Sequence, residues 1–154
     1  MKNLRVAALC VCLGFGSPML AQTTAKTLPV REPDYNKPRL FADLPDKIQF
    51  NPDSFTSLFT KGIAQVVSIP LTSTVNFSGK IVSRSSDANS SSVVIGSTNR
   101  PGARLVLTRV NESTTGQKFI GRIISFQHGD SYELISENNQ YYFKKKGLYD
   151  LISE

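Results

Sequence analysis

The stretch FQHGDSYEL, residues 126–134, holds His128, the single histidine of the chain, with Asp130 and Glu133 close behind it. A histidine beside carboxylates is the raw material of general acid–base catalysis or of a metal site. Nucleophilic catalysis would also need an orienting acid and a sharply turned nucleophile, and no Gly-x-Ser-x-Gly elbow occurs in this sequence. A usual zinc site takes three or four N or S ligands. One histidine, with no cysteine beyond Cys10 and Cys12, does not supply them. His128-Gly129-Asp130 is also tight-turn chemistry: glycine permits positive φ, and aspartate bonds its own backbone. The turn is the favoured reading.

Asp130, Glu133, Glu137 and Asp150 leave open an acid–base pair of the kind that hydrolyses glycosides, although their spacing sets no two of them across a cleft. Gly116, Gly121 and Gly129 make neither phosphate-loop pattern. No catalytic, metal-binding or cofactor-binding residue is therefore assigned, and no cofactor is expected.

The second chemical feature is QYYFKKKG, residues 140–147. On a strand, Tyr141, Phe143 and Lys145 share one face and Tyr142 and Lys144 the other. Aromatic rings beside cations can stack nucleic-acid bases, but lysines at a strand end also guard an edge against aggregation. Arg104, Arg109, Arg122 and Lys118 fall on neighbouring predicted strands, with Arg100 in the turn NRPG before Arg104. The expected interaction surface comprises Arg104, Arg109, Lys118, Arg122, Tyr141, Tyr142 and Lys144, and suits an unidentified protein or an anionic glycan. Nucleic acid is disfavoured. The formal charge of +6 falls to +4 without Lys2 and Arg5, too little to argue for it.

The elements that must position these residues follow a clear order. Lys2 and Arg5 precede an apolar run, residues 6–15, which Gly16, Ser17 and Pro18 break. This is the order of a signal peptide, with cleavage expected after Ala21 and Ala25 as second choice. The run is far short of the roughly 20 residues that span a bilayer, so no membrane span is expected in the mature chain. Cys10 and Cys12 lie too early for lipidation. The mature chain is then free of cysteine, exported to the periplasm or beyond, and dependent on a packed core.

Residues 22–45 read as a Pro-rich linker or extended arm, with Pro29, Pro33, Pro38 and Pro45 favouring extended backbone. Leu40, Phe41 and Leu44 are its candidate docking residues. Residues 46–154 read as a single β domain. Asn51, Pro52 and Asp53 cap a short helix near 52–60, with Phe55, Leu58 and Phe59 on one face and Gly62 ending it. Strands are expected at 64–71, 74–84, 91–98, 104–111, 117–126, 131–136 and 140–145, separated by turn residues. Gly79 marks a bulge or a close backbone approach. The fold class is mainly β: an antiparallel meander of about seven strands forming a small barrel or sandwich, with one short N-terminal helix.

VVSIPLTSTVNFSGKIVSRSS, QKFIGRIIS and SYELISENNQYYFKK, within residues 64–146, resemble small exported bacterial β domains. They are also similar to the non-catalytic N-terminal propeptides of secreted metalloproteases, in which a Gly-Arg-aliphatic step like Gly121-Arg122-Ile123 precedes a hairpin. The resemblance implies a module that folds against or inhibits another protein, and it carries over no functional residue. The chain has no His-Glu-x-x-His segment. The expected function is an exported, non-enzymatic interaction domain, inhibitor-like or propeptide-like. The alternatives are a small carboxylate-dependent hydrolase of glycan or cell-wall polymer, and a structural, envelope-associated protein.

Overall fold

The computed structural model describes residues 36–112, 116–148 and 150. The expected signal peptide, its cleavage site and residues 22–35 of the arm lie outside them.

Eight strands form one antiparallel sheet in the order β1-β8-β7-β6-β5-β4-β3-β2. They are β1 (Lys47–Phe50), β2 (Val66–Pro70), β3 (Asn76–Ser86), β4 (Ser90–Ser97), β5 (Arg104–Glu112), β6 (Gly116–Ile124), β7 (Asp130–Glu137) and β8 (Gln140–Gly147). From β2 to β8 the sheet is a meander, and β1 joins out of sequence beside β8. The sheet curls into a half-barrel. Among the described residues the strands form one sheet running from β1 to β2, and this curled sheet approximates the expected barrel or sandwich.

The strand missing from the sequence reading is β1, KIQF, immediately before the helix cap. Its alternation is present, with Ile48 and Phe50 buried and Lys47 and Gln49 exposed. Four residues are too few for that period to separate a strand from a loop.

Elsewhere the period-two pattern places side chains as expected. Phe77 and Ile81 of β3, Val93 and Ile95 of β4, and Leu105 and Leu107 of β5 are buried on the concave face. Gly79 serves a close approach: a Cβ there would lie 2.4 Å from the Gly96 carbonyl oxygen and 2.7 Å from Ile95 Cγ2. The bulge falls just beyond it, between Ile81 and Ser83.

Helix α1, Pro52–Thr56, begins where Asn51 Oδ1 accepts from the Asp53 N–H at 3.0 Å. That bond satisfies one of the free donors of the first turn. A 3-10 turn, Ser57–Thr60, continues it, and extended backbone at Lys61 stops it one residue before Gly62. Phe55, Leu58 and Phe59 are buried. Phe50 stacks on Phe55 at 4.4 Å between centroids and meets Phe143 edge-on at 5.4 Å, while Phe59 lies 6.3 Å from Phe119. These rings join the helix to both β1 and β6. Among the described residues no helix is long and apolar enough to cross a membrane.

Residues 36–46 lie against the sheet. Phe41 is fully buried, Leu44 is buried and Leu40 partly so. Phe41 meets Tyr132 edge-on at 5.6 Å. Three side chains of the domain donate hydrogen bonds to the arm's backbone carbonyls. Tyr132 donates its hydroxyl to the Pro45 carbonyl at 2.6 Å, Lys145 Nζ donates to Leu44 at 2.7 Å, and Arg100 donates to Leu40 at 2.7 Å. Burial pushes the Tyr132 phenol well above its ordinary pKa, which keeps it neutral and able to donate.

Candidate interaction surface

The His128 region is a turn between β6 and β7. The His128 N–H donates to the Ser125 carbonyl at 3.2 Å, and Nδ1 lies 2.8 Å from Ser125 Oγ. This serine–histidine contact was not anticipated; the three-residue spacing within a turn was its only signal. Ser125 is fully buried, so its hydroxyl is not presented to a substrate.

Asp130 is buried too, and both carboxylate oxygens are engaged. Oδ1 accepts from the Leu40 N–H and Oδ2 from the Phe41 N–H, each at 2.8 Å. Gly129 adds a contact by donating its N–H to Pro38 at 3.3 Å. The turn is thus the seat on which the arm rests.

The other acids have separate partners. Glu133 Oε2 lies 2.9 Å from Lys146 Nζ, Glu137 pairs with Lys47, and Asp150 accepts from the Gly147 N–H at 2.9 Å. Asp130 and Glu133, three residues apart on β7, point to opposite faces of the sheet. Among the described residues no group of three or more His, Cys, Asp or Glu is placed to hold a metal ion.

Asp43, beside the seat, is clamped by Arg100: Nη1 reaches Oδ1 at 2.9 Å and Nη2 reaches Oδ2 at 2.5 Å. The hydrogen bonding from Arg100 is the main cause that holds the Asp43 carboxyl below its ordinary value, against a smaller opposing effect of burial. A depressed folded-state pKa gives stability that is present above the unfolded value and lost as pH falls through the folded one. Acid titration of stability should therefore show a component below about pH 4 that disappears in Asp43→Asn. An identical acid limb in the two proteins would show that the clamp contributes nothing.

Basic residues collect on the convex face. One cross-strand row runs Lys47, Lys144, Glu133, Arg122, Val106 and Val94 across β1, β8, β7, β6, β5 and β4. The next places Lys146, Arg104 and Lys80 in register through Ser131, Ile124 and Gly96. Lys118 lies on the same face of β6 and pairs loosely with Glu112 at 3.8 Å. The acids of this face are thus already matched. Arg104, Arg122 and Lys80 are exposed and form no ion pair among the described residues. Lys144 is also exposed and forms none, though with Lys47 it helps hold the Glu137 carboxyl below its ordinary value.

No protein-family model matches the chain, and no curated protein or solved structure is significantly similar to it. Function must then be argued from the surface itself.

Of the expected surface residues, Arg104, Lys118, Arg122, Tyr142 and Lys144 lie together on the convex face. Tyr142 carries Lys47 Nζ over its ring at 3.9 Å. Arg109 and Tyr141 turn to the concave side. The Arg109 guanidinium sits 4.9 Å from the centre of the Phe59 ring. Tyr141 lies against Phe50 and Phe119, and its hydroxyl accepts from the Phe119 N–H at 3.3 Å. The reason is parity: β5 buries Leu105 and Leu107, so Arg109 shares their face. Lys47, Lys80 and Lys146 were missed. Lys47 escaped because β1 was not recognised, and the others because register across the sheet is needed to group them.

Proposed function

We propose that the protein is an exported, non-enzymatic interaction domain whose convex, basic sheet face meets an acidic protein partner, in the manner of an inhibitor or propeptide module. The observation that carries this reading is the group of exposed cations, Arg104, Arg122 and Lys80, without ion pairs among the described residues, beside Glu112, Glu133 and Glu137, which are each paired. Unmatched charge on one face steers a partner of opposite sign and sets orientation more than affinity. The engagement of Asp130 by the arm and the pairing of Glu133 and Glu137 with lysines favour binding over carboxylate chemistry.

The test is capture of a partner from the native secreted fraction, followed by association kinetics with that partner. Arg104→Glu with Arg122→Glu should slow association about tenfold at low salt, and the difference should shrink as salt rises. An unchanged, salt-independent rate, or retention only on an anionic glycan, would overturn the reading.

A further inference from the structure

The meander is split between β6 and β7. β6 pairs with β5 from Gly116 to Ile124, and β7 pairs with β8 as far as Glu137, yet β6 and β7 pair with each other only through Arg122–Ile124 and Ser131–Glu133. Beyond those residues the two strands part around a cleft of about 610 Å³. Its walls include Phe119, Leu134 and Tyr141, with Lys118, Ile120 and Ser136 at the rim.

Backbone parity shows what the cleft offers. The Phe119 N–H reaches Tyr141 Oη, on the side of β6 away from β5. Alternate residues Gln117 and Gly121 therefore turn their N–H and C=O groups the same way. On β8, the Lys145 N–H donates to the Asp46 carbonyl, away from β7. Tyr132, opposite Lys145, then directs its backbone toward β6, and so do Leu134 and Ser136. Two lengths of strand edge thus face each other across an apolar floor, and the Tyr141 hydroxyl occupies one N–H of the β6 edge.

We propose that this cleft binds an extended segment of a partner protein by strand addition to β6, over about four to six residues. Alternate side chains of the segment would point inward against Phe119, Leu134 and Tyr141. The others would point outward, toward Lys118 and Arg122, so acidic residues suit those positions. The proposal deepens the reading of the protein as a binder of an acidic partner and rests on it for the charge of the outward residues. The cleft itself does not depend on the basic face.

The test uses the whole mature protein and three synthetic hexapeptides: alternating Glu-Val, the same peptide N-methylated at alternate amides, and alternating Ser-Val. Amide NMR shifts and hydrogen exchange give both affinity and location. The Glu-Val peptide should perturb and protect residues 117–121 and 134–136. N-methylation should weaken binding at least about tenfold, because it removes the donors a strand must share. Tyr141→Phe, which frees the Phe119 N–H, should tighten binding by about threefold. Equal binding of the methylated and plain peptides, shifts confined to Arg104, Lys144 and Lys80, or no binding by any peptide would overturn the cleft proposal. Binding of Ser-Val in the cleft as tight as Glu-Val would keep the cleft and remove the acidic preference. The two readings therefore fail separately.

Discussion

Asp130→Ala is expected to destabilise the domain by about 2–4 kcal/mol. The carboxylate is buried at 3 % exposure and accepts from two successive backbone N–H groups of the arm. Alanine leaves both donors without an acceptor, and one of them, on Phe41, lies in the core. An unpaired buried donor costs its full desolvation, whereas the intact bond contributes only modestly. Release of the aspartate from its own desolvation offsets part of the loss. Asp130→Asn should fall between, since an amide offers one acceptor oxygen and sets an N–H against the second donor. Denaturant unfolding of the three proteins, with hydrogen exchange at Leu40 and Phe41, checks this. Wild-type stability in Asp130→Ala would mean that the arm is held by its apolar side chains alone.

Phe50→Ala should cost about 3–5 kcal/mol, the range for emptying a well-packed aromatic site. Phe50 is 3 % exposed and contacts the rings of Phe55, Phe119, Tyr141 and Phe143. No neighbour can refill the space without moving, because those rings belong to the helix, β6 and β8. The loss should exceed that of Phe55→Ala, whose ring has a single aromatic partner among the described residues. Thermal or urea unfolding of both variants measures the difference. Equal losses would show that burial alone, and not the ring cluster, sets the cost.

Both predictions fall where local sequence reasoning thins out. The helix was legible because its signals are local: the Asn51 cap, Pro52 in the first turn, and the spacing of Phe55, Leu58 and Phe59. The seven strands of the meander were legible because each is at least five residues long and flanked by turn chemistry. β1 was not, since four residues next to a helix cap carry too little periodicity and its partner β8 lies far along the chain.

In the sequence the seat at Asp130 reads as a turn, with Asp130 also one candidate for a hydrolytic pair, and nothing marks it as the anchor of the arm. Its composition does say turn, but the residues that occupy its carboxylate are about 90 positions away. The expected surface divided for a related reason. Alternation within one strand assigns faces, and QYYFKKKG was sorted correctly. Grouping Arg104, Arg122, Lys80 and Lys144 also requires the register of every intervening pair.

The sequence by itself determined the period-two chain of strands, the capped helix at Pro52 and the single histidine and absence of cysteine in residues 46–154. These depend on neighbours within a few residues, where backbone sterics and side-chain alternation act. The tertiary structure decided that the sheet stays open, that β1 closes on β8, that Asp130 holds the arm, and that β6 and β7 part around a cleft. Each of these is a pairing between distant segments, and its free energy comes from the burial and hydrogen bonds made only when those segments meet.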